Sequence, residues 1–130
     1  MEKEIIRHEE CYMREQCLRY DICPMVLFQK LISGKWKILI LWYLSYSTHR
    51  FGEIKNRLPH VTQKMLTQQL RSLEENHLIF RKVYNVVPPK VEYGLTEIGR
   101  KLIPVLEMMH GFGAEYIKDG YSEVLEDNGY

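Results

Sequence analysis

The sequence of 130 residues has no apolar run long enough to cross a bilayer or to serve as a secretory leader, has only three cysteines, and has no excess of one charge, with 18 basic against 17 acidic side chains. Without such a run the chain is expected in the cytoplasm, away from membranes. Cys11, Cys17 and Cys23 are an odd number gathered toward one end, without the density of a disulfide scaffold, and read as reduced thiols. Also missing are a phosphate-cradling glycine loop, a G-x-S-x-G nucleophile turn and an H-E-x-x-H zinc motif. The acidic pairs Glu9-Glu10 and Glu74-Glu75 do not replace them, because neighbours on a helix diverge by about 100° and cannot share a substrate. His8, Cys11, Cys17 and Cys23 do not read as a zinc site, since the cysteines lack the short pair spacing of structural zinc ligands. No enzyme, metal or cofactor is expected, and no repeat or low-complexity stretch interrupts the chain.

What is present suits a single globular domain over residues 1–130. Nine tyrosines, four phenylalanines and two tryptophans, within 45% hydrophobic residues, can fill one core. The near-zero net charge hides a segregation. Residues 1–23 carry four basic and six acidic side chains, 24–47 carry three basic and none acidic, 48–92 carry eight against four, and 93–130 carry three against seven. The middle of the chain is therefore the candidate face for a polyanion, although a solvated surface explains a modest excess equally well.

Periodicity orders the elements. Ile6, Met13, Cys17 and Tyr20 fall on one side of a helical period and predict an amphipathic helix over residues 2–20. Cys23-Pro24 opens a second helix that runs to about Ser33 and is interrupted by Gly34. Lys35 to Tyr46 has almost no polar face and reads as a helix buried on most sides. Phe51 to Leu58 is a short helix ended by Pro59. Thr62 to Asn76 carries Leu66, Leu70 and Leu73 at i, i+4 and i+7, with Thr62 placed as N-cap and Val61 placed to pack on Leu66. Ile79–Tyr84 and Lys90–Leu95 flank Asn85-Val86-Val87-Pro88-Pro89 and predict a β-hairpin with a stiff tip. Thr96 caps one last helix through Leu106, Met109, Phe112 and Tyr116, kinked at Pro104.

Two helices joined by a short turn and followed by a hairpin describe a winged helix-turn-helix, mainly α with a small β-hairpin. Opposite the leucine stripe of the 62–76 helix lie Lys64, Thr67, Gln68 and Arg71, none of them needed for a core. Gln68 can pair with adenine, Lys64 and Arg71 can reach guanine edges or phosphates, and the Thr67 methyl can meet a thymine methyl. With Thr62 and Gln63 at its start, this face is the candidate double-stranded DNA contact. Arg81, Lys82 and Lys90 on the hairpin are candidate phosphate or minor-groove contacts. A solvated helix face, or a winged helix that binds proteins and no DNA, would suit the same residue types. The apolar faces of the terminal helices, including Ile6, Met13, Leu106, Met109 and Phe112, exceed one small core and point to a homodimer.

These residues resemble the HxlR-type winged helix transcriptional regulators of bacteria and archaea. The matching pieces are Cys23-Pro24, Gly34-Lys35-Trp36-Lys37, Arg50-Phe51-Gly52-Glu53-Ile54, Gln63-Lys64-Met65-Leu66-Thr67-Gln68, Leu70-Arg71, Leu73-Glu74, Val87-Pro88-Pro89-Lys90-Val91-Glu92-Tyr93, Leu95-Thr96 and Gly99, in unbroken order across a core of about 23–112. The resemblance implies a homodimeric DNA-binding regulator, dimerised by its N- and C-terminal helices, with the helix from Thr62 in the major groove. It also implies that Cys23 senses small electrophiles or oxidants, as the equivalent cysteine does in some members. The N-cap position of Cys23 favours thiolate, Asp21 nearby opposes it, and a buried core cysteine is the competing reading. His60 and His77 stand where the family often has glycine, which leaves Asn76 to take the left-handed conformation at the helix end. Val86 stands where a polar residue is usual, and no family role transfers to Cys11 or Cys17.

Overall fold

The computed structural model describes residues 22–123. The helix expected over residues 2–20, and with it Ile6, His8, Cys11, Met13 and Cys17, lies outside them. The described chain runs α1 (Pro24–Leu31), α2 (Lys37–Leu44), α3 (Phe51–Arg57), α4 (Gln63–Glu75), β1 (Ile79–Tyr84), β2 (Lys90–Leu95), α5 (Glu97–Arg100) and α6 (Ile103–Lys118). The hairpin is antiparallel, with Ile79 opposite Leu95 and Tyr84 opposite Lys90.

One apolar cluster holds these elements together. Leu66, Leu70 and Leu73 of α4 meet Ile40, Leu41 and Leu44 of α2, Ile54 of α3, and Ile79 and Leu95 at the root of the hairpin. Burying a leucine or isoleucine side chain stabilises by about 1.5–3 kcal/mol, so this contact between α4 and its neighbours sets the domain's shape. The helix over 37–44 is less enclosed than its sequence suggests. Ile38, Leu39, Trp42 and Tyr43 are only half-buried, packed against the margin of the core cluster. Gly34 makes the turn into α2 at φ +144°, close against the Gln69 amide.

Three local features differ from the sequence expectation. The last helix is two helices, since Pro104 has no N–H to give to the carbonyl of Arg100 and instead opens α6 in its first turn. Thr96 caps only the short α5, where its Oγ1 accepts from the Gly99 N–H at 3.0 Å. Gly99 lies so close to the Leu78 carbonyl that no side chain fits there. Leu106, expected on a dimer face, is buried in the core, whereas Met109 and Phe112 are exposed. Finally, the left-handed residue after α4 is His77, at φ +63°, and Asn76 stays at φ −86°. His77 N–H bonds to Glu74 carbonyl and Leu78 N–H to Leu73 carbonyl, each at 3.0 Å, the double closure of a Schellman motif with buried Leu73 and Leu78 beneath it.

A single bridge was not legible in the sequence. His49, just before α3, exchanges both backbone hydrogen bonds with Tyr93 of β2, at 3.0 and 2.8 Å. It ties the start of the helix-turn-helix to the hairpin.

The left-handed conformation costs a residue with a side chain about 1 kcal/mol or more. His77→Gly is therefore expected to raise stability in chemical denaturation by about 1 kcal/mol, while Asn76→Gly is expected to lower it. The reverse order would place the left-handed residue at Asn76.

Candidate nucleic-acid interface

The start of α4 is built by local chemistry. Thr62 is extended and its Oγ1 accepts from Met65 N–H at 3.1 Å, as its place before the helix predicts. Val61, next to it, is buried. At the other end of α3, Glu53 accepts from the Arg50 N–H at 2.9 Å. The helix is also fastened to α2 by two polar contacts. The Trp36 indole N–H donates to Met65 Sδ at 3.1 Å, and Lys37 Nζ donates to Ser72 Oγ at 2.7 Å. Lys37 is 6% exposed, and burial pushes its ammonium below the ordinary lysine range.

With the leucines inward, α4 turns Gln63, Lys64, Gln68 and Arg71 to solvent, and Thr62 is exposed beside them. Thr67 is half-buried and its hydroxyl donates to the Gln63 carbonyl at 2.8 Å, so its methyl is the group left for an outside contact. The recognition-face residues named from the sequence are thus brought together on one surface.

The hairpin cations are not. Arg81 pairs across the ladder with Tyr93, and Lys82 with Glu92. Successive strand residues point to opposite faces. Arg81 therefore faces α4, where it lines a cleft of about 520 Å³ with Gln63, Thr67, Arg71, Glu74 and Tyr93. Lys82 and Lys90 share the opposite face, both over the Tyr84 ring at 4.8 and 5.0 Å from its centroid. Lys90 is ion-paired with Glu92 at 2.8 Å, and Tyr84 Oη donates to the same carboxylate at 3.0 Å. The Lys90 hydrogen bond, then that from Tyr84, holds the Glu92 carboxyl below the usual carboxylate range. At the tip Val86 and Val87 are exposed, and the Val87-Pro88 bond is cis.

A helix-turn-helix with such a face and a following hairpin has counterparts among known proteins. A family model described as HxlR-like helix-turn-helix matches residues 31–121. The chain belongs to the HxlR family of helix-turn-helix transcriptional regulators. It is 49% identical over 102 residues to YtcD of Bacillus subtilis, an uncharacterized HTH-type transcriptional regulator, covering 76% of this chain and 81% of that protein. The redox regulator HypR in its oxidized form superposes with a TM-score of 0.69 at 43% identity, covering 72% of this chain and 96% of HypR. The reduced form of YodB from B. subtilis superposes with a TM-score of 0.67 at 35% identity, covering 76% and 98%. Membership of a regulator family answers the enzyme alternative.

In this HxlR-family chain Cys23 sits at the N-cap of α1 as expected, extended at φ −64° and ψ 118°, but its side chain is fully buried. No helix among the described residues is long and apolar enough to cross a membrane.

The depressed Glu92 carboxyl gives a pH signature. A carboxylate held low in the folded state adds stability that is present above its unfolded pKa and is lost as pH falls through the folded value. Glu92→Gln is expected to lower the thermal midpoint at neutral pH, with the gap to the wild type closing as the solution is acidified below the usual carboxylate range. A gap that stays constant with pH would mean that Glu92 acts only by packing.

Proposed function

We propose that this HxlR-family regulator binds duplex DNA as a homodimer at an inverted repeat, with α4 in the major groove and the hairpin along the adjoining backbone. The observation that carries this reading is the exposed face of Gln63, Lys64, Gln68 and Arg71, which no core contact requires and which opens onto the cleft holding Arg81. Gln68 suits adenine, Arg71 and Lys64 suit guanine edges or phosphate, and the Thr67 methyl suits thymine. Thr62 and Gln63 bring the N-terminus of α4, with its unpaired N–H groups, toward a phosphate. Arg81 is the leading hairpin cation because it shares the cleft with Arg71. Lys82 and Lys90 serve the outer flank, where a phosphate would compete with Glu92 for Lys90. In the cell this activity belongs in the cytoplasm, with the DNA.

What supports the dimer is the apolar surface that α1 and α6 leave uncovered. Met25, Met108 and Phe112 are 70%, 77% and 70% exposed, and Ile22, Met109 and Ile117 lie exposed with them. Exposed large apolar side chains, where they gather into a patch, mark an interaction surface. A twofold pair would set two α4 helices roughly 34 Å apart, one turn of DNA.

Control by an oxidant or electrophile at Cys23 is the finer part of the proposal, supported by the likeness to the redox regulator HypR and by the N-cap position. The buried thiol reacts only if α1 opens, since buried cysteines are otherwise inert. Oxidation would then alter the setting of the terminal helices and the spacing of the two α4 helices.

Selection of bound sequences from a random duplex library, followed by affinity measurement over a salt series, tests these roles together. An inverted repeat is expected. Gln68→Ala should relax preference at particular positions at a cost of about 1–3 kcal/mol, whereas Arg81→Ala should weaken all sequences alike and lower the salt slope by about one. A quinone should weaken binding by the wild type and not by Cys23→Ser; loss in both, or in neither, removes Cys23 from the mechanism. Absence of any duplex binding would favour a protein-interaction winged helix.

A further inference from the structure

Met65 stands apart from the other described methionines. Met25, Met108 and Met109 lie on the exposed apolar surface of α1 and α6, whereas Met65 is the third residue of α4 and is 43% exposed. It takes no part in the core cluster. Methionine commonly serves as a pliable filler of apolar gaps, so packing alone does not account for it at this position.

What accounts for it is Trp36. That side chain is 6% exposed and belongs to the core, so its indole N–H requires an acceptor inside the protein. Met65 Sδ is that acceptor, at 3.1 Å. Met65 is held at its other end as well, since its backbone N–H donates to Thr62 Oγ1 at 3.1 Å. The first turn of α4 is thus clamped between its own cap and a ring fixed in the core.

The clamp runs through an oxidisable atom. A thioether sulfur carries two lone pairs; the indole N–H engages one and leaves the other to an oxygen donor, on a side chain that is open to solvent. When a peroxide is the donor, that pair forms the S–O bond as the O–O bond breaks. The sulfur loses two electrons, and the peroxide is reduced to water. The sulfoxide oxygen is a stronger acceptor than the sulfur and stands one bond further out. Trp36 is fixed in the core, so its N–H either loses its acceptor or keeps one only by pushing the sulfur outward. Both outcomes fall on Met65 and on the turn that contains it.

We propose that Met65 is a site of reversible oxidation by a peroxide, and that its sulfoxide displaces the first turn of α4 from Trp36. Modification and displacement stand by themselves; the consequence for DNA, a shifted Gln63–Lys64 end of the outward α4 face, rests on the function proposed above.

Treatment of the full chain with hydrogen peroxide, followed by peptide mass spectrometry and by the indole N–H NMR signals of its two tryptophans, tests the site. Trp42→Phe leaves Trp36 as the remaining indole and assigns its signal. Met65 should gain one oxygen, the Trp36 signal should move in proportion, and amide shifts should include residues 62–65. Methionine sulfoxide reductases for both epimers, with a thiol reductant, should return the signal to its starting position. Met65→Leu and Met65→Gln remove the sulfur, and in neither should peroxide move the Trp36 signal, although Cys23 and the other methionines remain; this separates the site from thiol oxidation. An unmodified Met65 at peroxide levels that convert Met25 and Met108, a Trp36 signal indifferent to Met65 oxidation, the same response without the sulfur, or a response that the reductases do not reverse would each overturn the proposal. No DNA enters these readouts, so failure of the DNA-binding function is not confused with failure of this site.

Discussion

Burial of the leucine stripe of α4 is the constraint on which the rest of the molecule depends. Leu66, Leu70 and Leu73 are at most 2% exposed and contribute to the same cluster as α2, α3 and the hairpin root. Truncating one such side chain costs about 2–5 kcal/mol, a large share of the stability of a domain this size. The stripe fixes the rotation of α4 about its axis, so the direction of Gln68 and Arg71 is a consequence of core packing. Trp36–Met65 and Lys37–Ser72 then pin the helix against sliding along α2. A buried lysine is a costly strut, and its bond to Ser72 offsets part of that cost while fixing the register of the two helices.

The same arrangement joins the helix-turn-helix to the rest of the chain. His49 couples the entry of α3 to β2, and Schellman closure at His77 aims the chain from α4 directly into β1. On the far side, α6 is anchored by Leu106 and by the His110 ring stacked on Trp42, with centroids 5.2 Å apart and planes 15° apart. Beyond those anchors α6 leaves its apolar side chains to solvent. The outward face of α4 and the apolar face of α6 thus both belong to helices that pack on α2.

Much of this was legible because it is local. The Thr62 cap, the leucine period, the hairpin and the α3–α4 turn depend on residues within a few positions of one another. Two further features were within reach of the sequence. Strand alternation separates Arg81 from Lys82, and it puts Lys90 and Glu92 on one face as an ion pair; grouping all three hairpin cations overlooked that period. Pro104, read as a kink, is a helix start once its missing N–H is counted. The His49 bridge and the Lys37–Ser72 bond depend on partners far along the chain, and no spacing announces them. His77 took the left-handed position because the Schellman bonds require it one residue after the cap, whatever side chain stands there.

Assigning the outward face of α4 to DNA is the central claim, and amide and side-chain NMR shifts during titration with a short duplex at low salt test it most directly. The claim predicts that shifts gather on Gln63, Lys64, Gln68 and Arg71 and on Arg81 across the cleft, and that they recede as salt is raised. Shifts confined to α1 and α6, or scattered without regard to the α4 face, would contradict it.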